Sequence, residues 1–94
     1  MKLLVTGNIT KGFASWVQMQ DGLAPEMEKV GIKLIWAGTN PDESAVFAVI
    51  EMEDPAQMKT FGEREDVAKI RAEAGVDVAS TTVISPIGEH YMPA

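Results

Sequence analysis

Two stretches, Gly31-Ile32-Lys33-Leu34-Ile35-Trp36-Ala37-Gly38 and Ala45-Val46-Phe47-Ala48-Val49-Ile50, are apolar on both faces when drawn as strands. Between them Gly38-Thr39-Asn40-Pro41-Asp42-Glu43 is dense in turn formers. The spacing predicts a hairpin of strands at 32–37 and 45–53. A chain of 94 residues has few helices with which to cover a sheet. What covers the second face of this hairpin is therefore the tightest constraint on the fold.

The rest of the chain supplies two helical regions and two more strands. Residues 2–9 alternate, with Leu3, Val5 and Ile9 on one face and Leu4, Thr6 and Asn8 on the other. Thr10 is a suitable N-cap for a helix carrying Phe13, Trp16, Val17 and Gln20 at helical spacing. Gly22 is expected to end or break it, with a second piece at Pro25–Val30 stopped by Gly31. Asp54, Pro55 and Gln57 form a strong helix start, since Asp54 can cap and Gln57 can reach back. Gly62 is expected to interrupt that helix, and a further piece spans about 64–74. A β-branched run at 77–85 reads as the last strand, ended by Pro86 and Gly88. The order is β-α-β-β-α-β within one domain, 1–94, with a core at 1–87 and a tail at 88–94. Right-handed crossovers then give an α+β, ferredoxin-like, four-stranded antiparallel sheet with both helical regions on one face.

That arrangement leaves the other face bare. In the third strand Ala45, Phe47 and Val49 point one way, and Val46, Ala48, Ile50 and Met52 the other. The second strand divides by alternation into Ile32, Leu34 and Trp36 against Ile35 and Ala37. One helical layer cannot bury both sets, and monomers rarely expose contiguous apolar patches beyond a few hundred Å². The tail offers only Tyr91 and Met92 as cover. A second copy packed sheet to sheet about a two-fold axis covers it better, so a homodimer through the open sheet face is expected.

Composition excludes other classes. Eight basic against fourteen acidic residues give a net charge of −6. No Lys/Arg cluster is available to neutralise phosphates, so neither nucleic acid nor an anionic membrane is an expected partner. No run reaches the roughly 20 apolar residues that span a bilayer. Met1–Asn8 has too short an apolar core for a signal peptide, which makes the cytoplasm the expected location. There is no cysteine and one histidine, so no metal site is expected.

Phe13-Ala14-Ser15-Trp16-Val17, Pro25-Glu26 through Gly31-Ile32-Lys33, and Ala74-Gly75-Val76 before a Thr-rich strand carry a resemblance to the dimeric α+β barrel superfamily. The chain looks most like its small uncharacterised bacterial members and, more distantly, like antibiotic-biosynthesis-type monooxygenases. The resemblance implies two sheets packed into a shared barrel with the helices outside. Cofactor-independent oxygenases of that superfamily place Asn, Trp, Tyr or His around the pocket. Asn8, Trp16, Trp36, His90 and Tyr91 are the residues of those types here. Haem-using members need a proximal histidine in the body of the fold, which this chain lacks. No cofactor is expected.

Each candidate side chain has a plain reading beside the functional one. His90 is the natural proton-transfer group near neutral pH, or else a solvated tail residue. With Tyr91 it closes a pocket mouth only if the tail crosses to a partner. Trp16 packs in the core or lines an aromatic pocket. Trp36 meets a dimer partner, the core or a ligand. Asn8 orients a ligand or caps its strand end. Glu51, on the Phe47/Val49 face, is a candidate base or a solvated carboxylate. Arg71 meets an anionic ligand between helix and sheet or a surface carboxylate. The leading expectation is a homodimeric protein binding a small apolar or aromatic molecule. The alternatives are a cofactor-independent monooxygenase or isomerase, and a structural or regulatory dimer binding a protein partner.

Overall fold

Alternation of burial in the two central strands organises the sheet of this computed structural model, which describes residues 1–93. Ala94, the last residue of the expected tail, lies outside them. In β1 (Lys2–Asn8) Leu3 and Val5 are buried, and in β3 (Ala45–Glu51) Val46 and Ala48 are. The two strands pair antiparallel with Leu3 opposite Ile50 and Val5 opposite Ala48, so these side chains share one face. β2 (Lys33–Thr39) pairs with β3 and β4 (Thr82–Ile87) with β1, giving the order β2-β3-β1-β4. The sheet is antiparallel throughout, and the order is consistent with a ferredoxin-like fold. β2 and β4 are the edges.

The helices supply the buried partners of that face. α1 (Phe13–Lys29) contributes Met19, Leu23 and Met27, while α2 (Pro55–Glu63) and α3 (Glu65–Glu73) contribute Phe61 and Val67. The opposite face keeps Trp36 56% and Phe47 37% exposed. Tyr91 in the tail is 85% exposed, so the tail does not cover that face.

Several local expectations are corrected. α1 runs unbroken through Gly22 and Pro25, which together cost about 4 kcal/mol in a helix interior. Both lie on its exposed side, whereas Met19, Leu23 and Met27 recur every four residues on the buried one. Burial of three such side chains at about 1.5–3 kcal/mol each offsets that cost. Val17 is 36% exposed and stands outside this stripe. Thr10 does not cap α1; its hydroxyl donates to the Gly75 carbonyl, and the first helical amide, Phe13 N–H, donates instead to the Glu43 carboxylate at 2.7 Å.

The break in the second helical region falls at Arg64 rather than Gly62. Arg64 takes extended backbone angles, stacks over Phe61 and pairs with Asp66 and Glu26. The start of α2 follows expectation, with Asp54 accepting from Ala56 N–H and Gln57 reaching back to Asp54 N–H. Residues 78–80 form a short 3₁₀ turn, and β4 begins only at Thr82. Pro86 lies inside β4 and pairs with Leu3, tolerated because an edge strand needs no donor on its outer side.

A bulge in β2 matters most. Leu34 sits opposite Ile50, but Trp36 sits opposite Val49 and Ala37 opposite Ala48. One extra residue reverses the alternation. Ala37 joins Leu34 against the core, and Trp36 moves to the open face beside Val49 and Phe47.

Candidate functional site

Between the helix-facing side of the sheet and the three helices lies a cavity of about 460 Å³. Its floor is Leu3 and Val5 of β1, Val46 and Ala48 of β3, and Val83 of β4. Its walls are Trp16, Met19, Gln20 and Leu23 of α1 and Met58, Phe61, Val67 and Arg71 of α2 and α3. Small side chains open the floor. Ala48 sits at the centre of the sheet, and Gly7 of β1 lets Thr81 approach closely, its hydroxyl 3.4 Å from where a Cβ would stand.

Trp16 is held by Phe13 one turn earlier, the rings stacked at 5.8 Å with 9° between their planes. Arg71 enters from the last turn of α3 and is half-buried. Its Nη2 donates to Thr81 Oγ1, and its Nη1 lies beside Gly62. Among the described residues no carboxylate comes within 4 Å of it. Burial pulls its pKa below the ordinary arginine value. The other ionisable wall residues, Lys59 and Glu63, are exposed at the rim.

Of the candidate site residues Asn8, Trp16, Trp36, Glu51, Arg71, His90 and Tyr91, Trp16 and Arg71 line the cavity and the others do not. Trp36 is on the open face. His90 and Tyr91 are exposed beyond β4. Asn8 is exposed, and its backbone amide donates to Ser80 Oγ while its carbonyl accepts from Asp77 N–H, so its backbone serves the strand end. Glu51 faces the open side and accepts from Lys2 Nζ at 3.2 Å. That hydrogen bond, with the charge of Lys2, holds the Glu51 carboxyl below its ordinary value, the wrong direction for a base near neutrality.

The cavity residues that sequence reasoning missed are Met19, Leu23, Met58, Phe61 and Thr81. The four-residue repeat of Met19, Leu23 and Met27 was the available signal. Among the described residues no group of three or more His, Asp or Glu is placed to hold a metal ion, and no helix is long and apolar enough to cross a membrane. Neither a protein-family model nor a curated protein sequence matches this chain.

Proposed function

We propose that this protein binds a small apolar or aromatic molecule between its sheet and its helices, and does so as a homodimer of the dimeric α+β barrel kind. The observation that carries the first half is the apolar cavity of about 460 Å³. Ligand sites commonly measure about 300–1,000 Å³, whereas close-packed interiors hold few voids larger than a water molecule. The pocket leaves apolar side chains facing water, and covering such surface is favourable at roughly 25 cal/mol per Å². A bound apolar molecule supplies that cover.

The open sheet face supports the second half. Four strands of this length present roughly 400–500 Å² in plan. Two such faces together approach the low end of a stable interface, about 1,200 Å² of accessible surface. The Trp36–Phe47–Val49 surface has the apolar, aromatic character that buried interface centres favour.

Native mass spectrometry under gentle conditions tests both halves. The expected result is a mass of two chains with extra mass per chain from a retained ligand. Ala48→Leu, which places three more carbons into the cavity floor, is expected to stay folded and lose the extra mass. A bare wild-type chain that also fails to take up any hydrophobic probe would end the ligand reading, and a wild-type monomer would end the barrel reading.

A further inference from the structure

One charged group in the cavity lining, Arg71, is half-buried and has no carboxylate partner among the described residues. An arginine carries five N–H donors. The only acceptor found for the Arg71 side chain among the described residues is Thr81 Oγ1. Its position is unlike that of Arg64, the other arginine near a depression in the surface. Arg64 is paired with both Asp66 and Glu26 and stacks on Phe61, so its charge is already answered. Among the described residues Arg71 has no such partner, and it faces a space lined by Trp16, Leu23, Phe61 and Val83.

We propose that Arg71 makes this cavity a receptor for the carboxylate of a small, otherwise apolar acid. The proposal rests on the cavity being a ligand site. A guanidinium presents parallel N–H groups that match a carboxylate in a two-pronged pair, and such pairs strengthen when water is excluded. Thr81 holds one arm of the fork and leaves the rest for the ligand. The charge balance favours a monoanion. The two further ionisable groups at the rim, Lys59 and Glu63, are of opposite sign and exposed, so one net positive charge faces the cavity. A phosphate dianion would remain half unanswered within a protein of net charge −6. Desolvation of Arg71 without an acidic neighbour gives the same direction, since an entering anion relieves it.

The test compares two probes of nearly one shape, 2-naphthoate and its uncharged methyl ester, by isothermal titration calorimetry on the intact protein. Wild type is expected to bind naphthoate at least roughly tenfold more tightly than the ester, the least a charge-assisted hydrogen bond supplies. Arg71→Met is expected to bring naphthoate down to the level of the ester and leave the ester unchanged. Arg71→Lys is expected to keep part of the preference. Equal affinity for both probes in wild type overturns the carboxylate proposal while the ligand reading stands. Failure of both probes to bind overturns the two together. Should Arg71→Met fail to fold, the ratio of the two affinities in wild type and in Arg71→Lys decides.

Discussion

The indole ring of Trp36 occupies the space a side chain on Gly38 would need, its Cη2 and Cζ2 atoms 2.7 and 2.9 Å from where a Cβ would stand. Gly38 lies opposite Phe47, so the ring lies along its own edge strand, beside Phe47 on the open face. A flat aromatic surface results, with Val49 opposite Trp36 and Leu4 opposite Val49. Placing a charge at its centre is the sharpest check on the proposed dimer. Phe47→Glu is expected to convert a two-chain species to one chain, measured by light scattering after gel filtration, with the far-ultraviolet circular dichroism retained. A variant that stays dimeric would show that the two chains meet elsewhere.

Two glycines make opposite predictions. Gly75 has φ +91°, and a Cβ there would stand 2.7–2.8 Å from Lys11 atoms, one of them the backbone nitrogen. Strain and overpacking of about 1–3 kcal/mol each predict a loss of about 2–6 kcal/mol for Gly75→Ala. Gly22 sits exposed in mid-α1 with nothing within 4 Å. Gly22→Ala is expected to gain about 0.5–1 kcal/mol. Urea unfolding of the two variants measures both. Destabilisation by Gly22→Ala would contradict the continuous helix.

Much of this architecture is legible in the residues because it is local. The Asp54-Pro55-Gln57 start of α2 is complete within four positions, and the alternation of β3 needs only its own period. The misread elements depend on partners far along the chain. The breaker signals of Gly22 and Pro25 are local, while the burial that overrides them comes from the sheet beneath α1. The bulge that turns Trp36 outward exists only in the pairing with Ile50 and Val49, and nothing in 32–37 announces it. Two of the four expected ligand residues, Trp16 and Arg71, line the cavity because helical spacing already placed them toward the sheet. Trp36 is placed by simple alternation on an edge strand and Tyr91 in a tail that reaches a pocket only by crossing to a partner, and both lie away from the cavity.

The amide of Phe13 and the carboxylate of Glu43 join two segments thirty residues apart, an N-cap supplied by the β2–β3 turn. Glu43 holds φ 54° to do so, in the left-handed region. Capping oxygens contribute about 1 kcal/mol, and a carboxylate at a helix N-terminus adds a favourable charge–dipole contact. Glu43→Ala is therefore expected to cost about 1 kcal/mol and lower Tm by about 4–8 °C. Helical content measured before the transition should fall slightly at the start of α1. An unchanged Tm would mean that water caps Phe13 equally well.

Three exposed carboxyls give the stability its acid limb. The Ser44 hydroxyl and amide lower the pKa of Asp42 from an ordinary 3.8, Lys2 lowers Glu51 from 4.5, and Arg64 lowers Asp66 from 3.8. A carboxyl whose folded pKa lies below its unfolded value adds stability above the unfolded pKa, and that addition is lost as pH falls through the folded one. Stability is thus expected to decline as pH falls through the unfolded-chain values, 4.5 for Glu51 and 3.8 for Asp42 and Asp66, toward the lower folded ones. The three contributions respond differently to salt. Glu51 and Asp66 face cations at the surface and are screened, whereas Asp42 accepts hydrogen bonds from the neutral Ser44. Thermal melts from about pH 6 to about pH 3, at low and at high salt, separate them. High salt should remove most of the difference between wild type and Glu51→Gln, and leave the difference between wild type and Asp42→Asn in place. Loss of the Asp42 difference in salt would mean that its pKa is set by charge rather than by the turn.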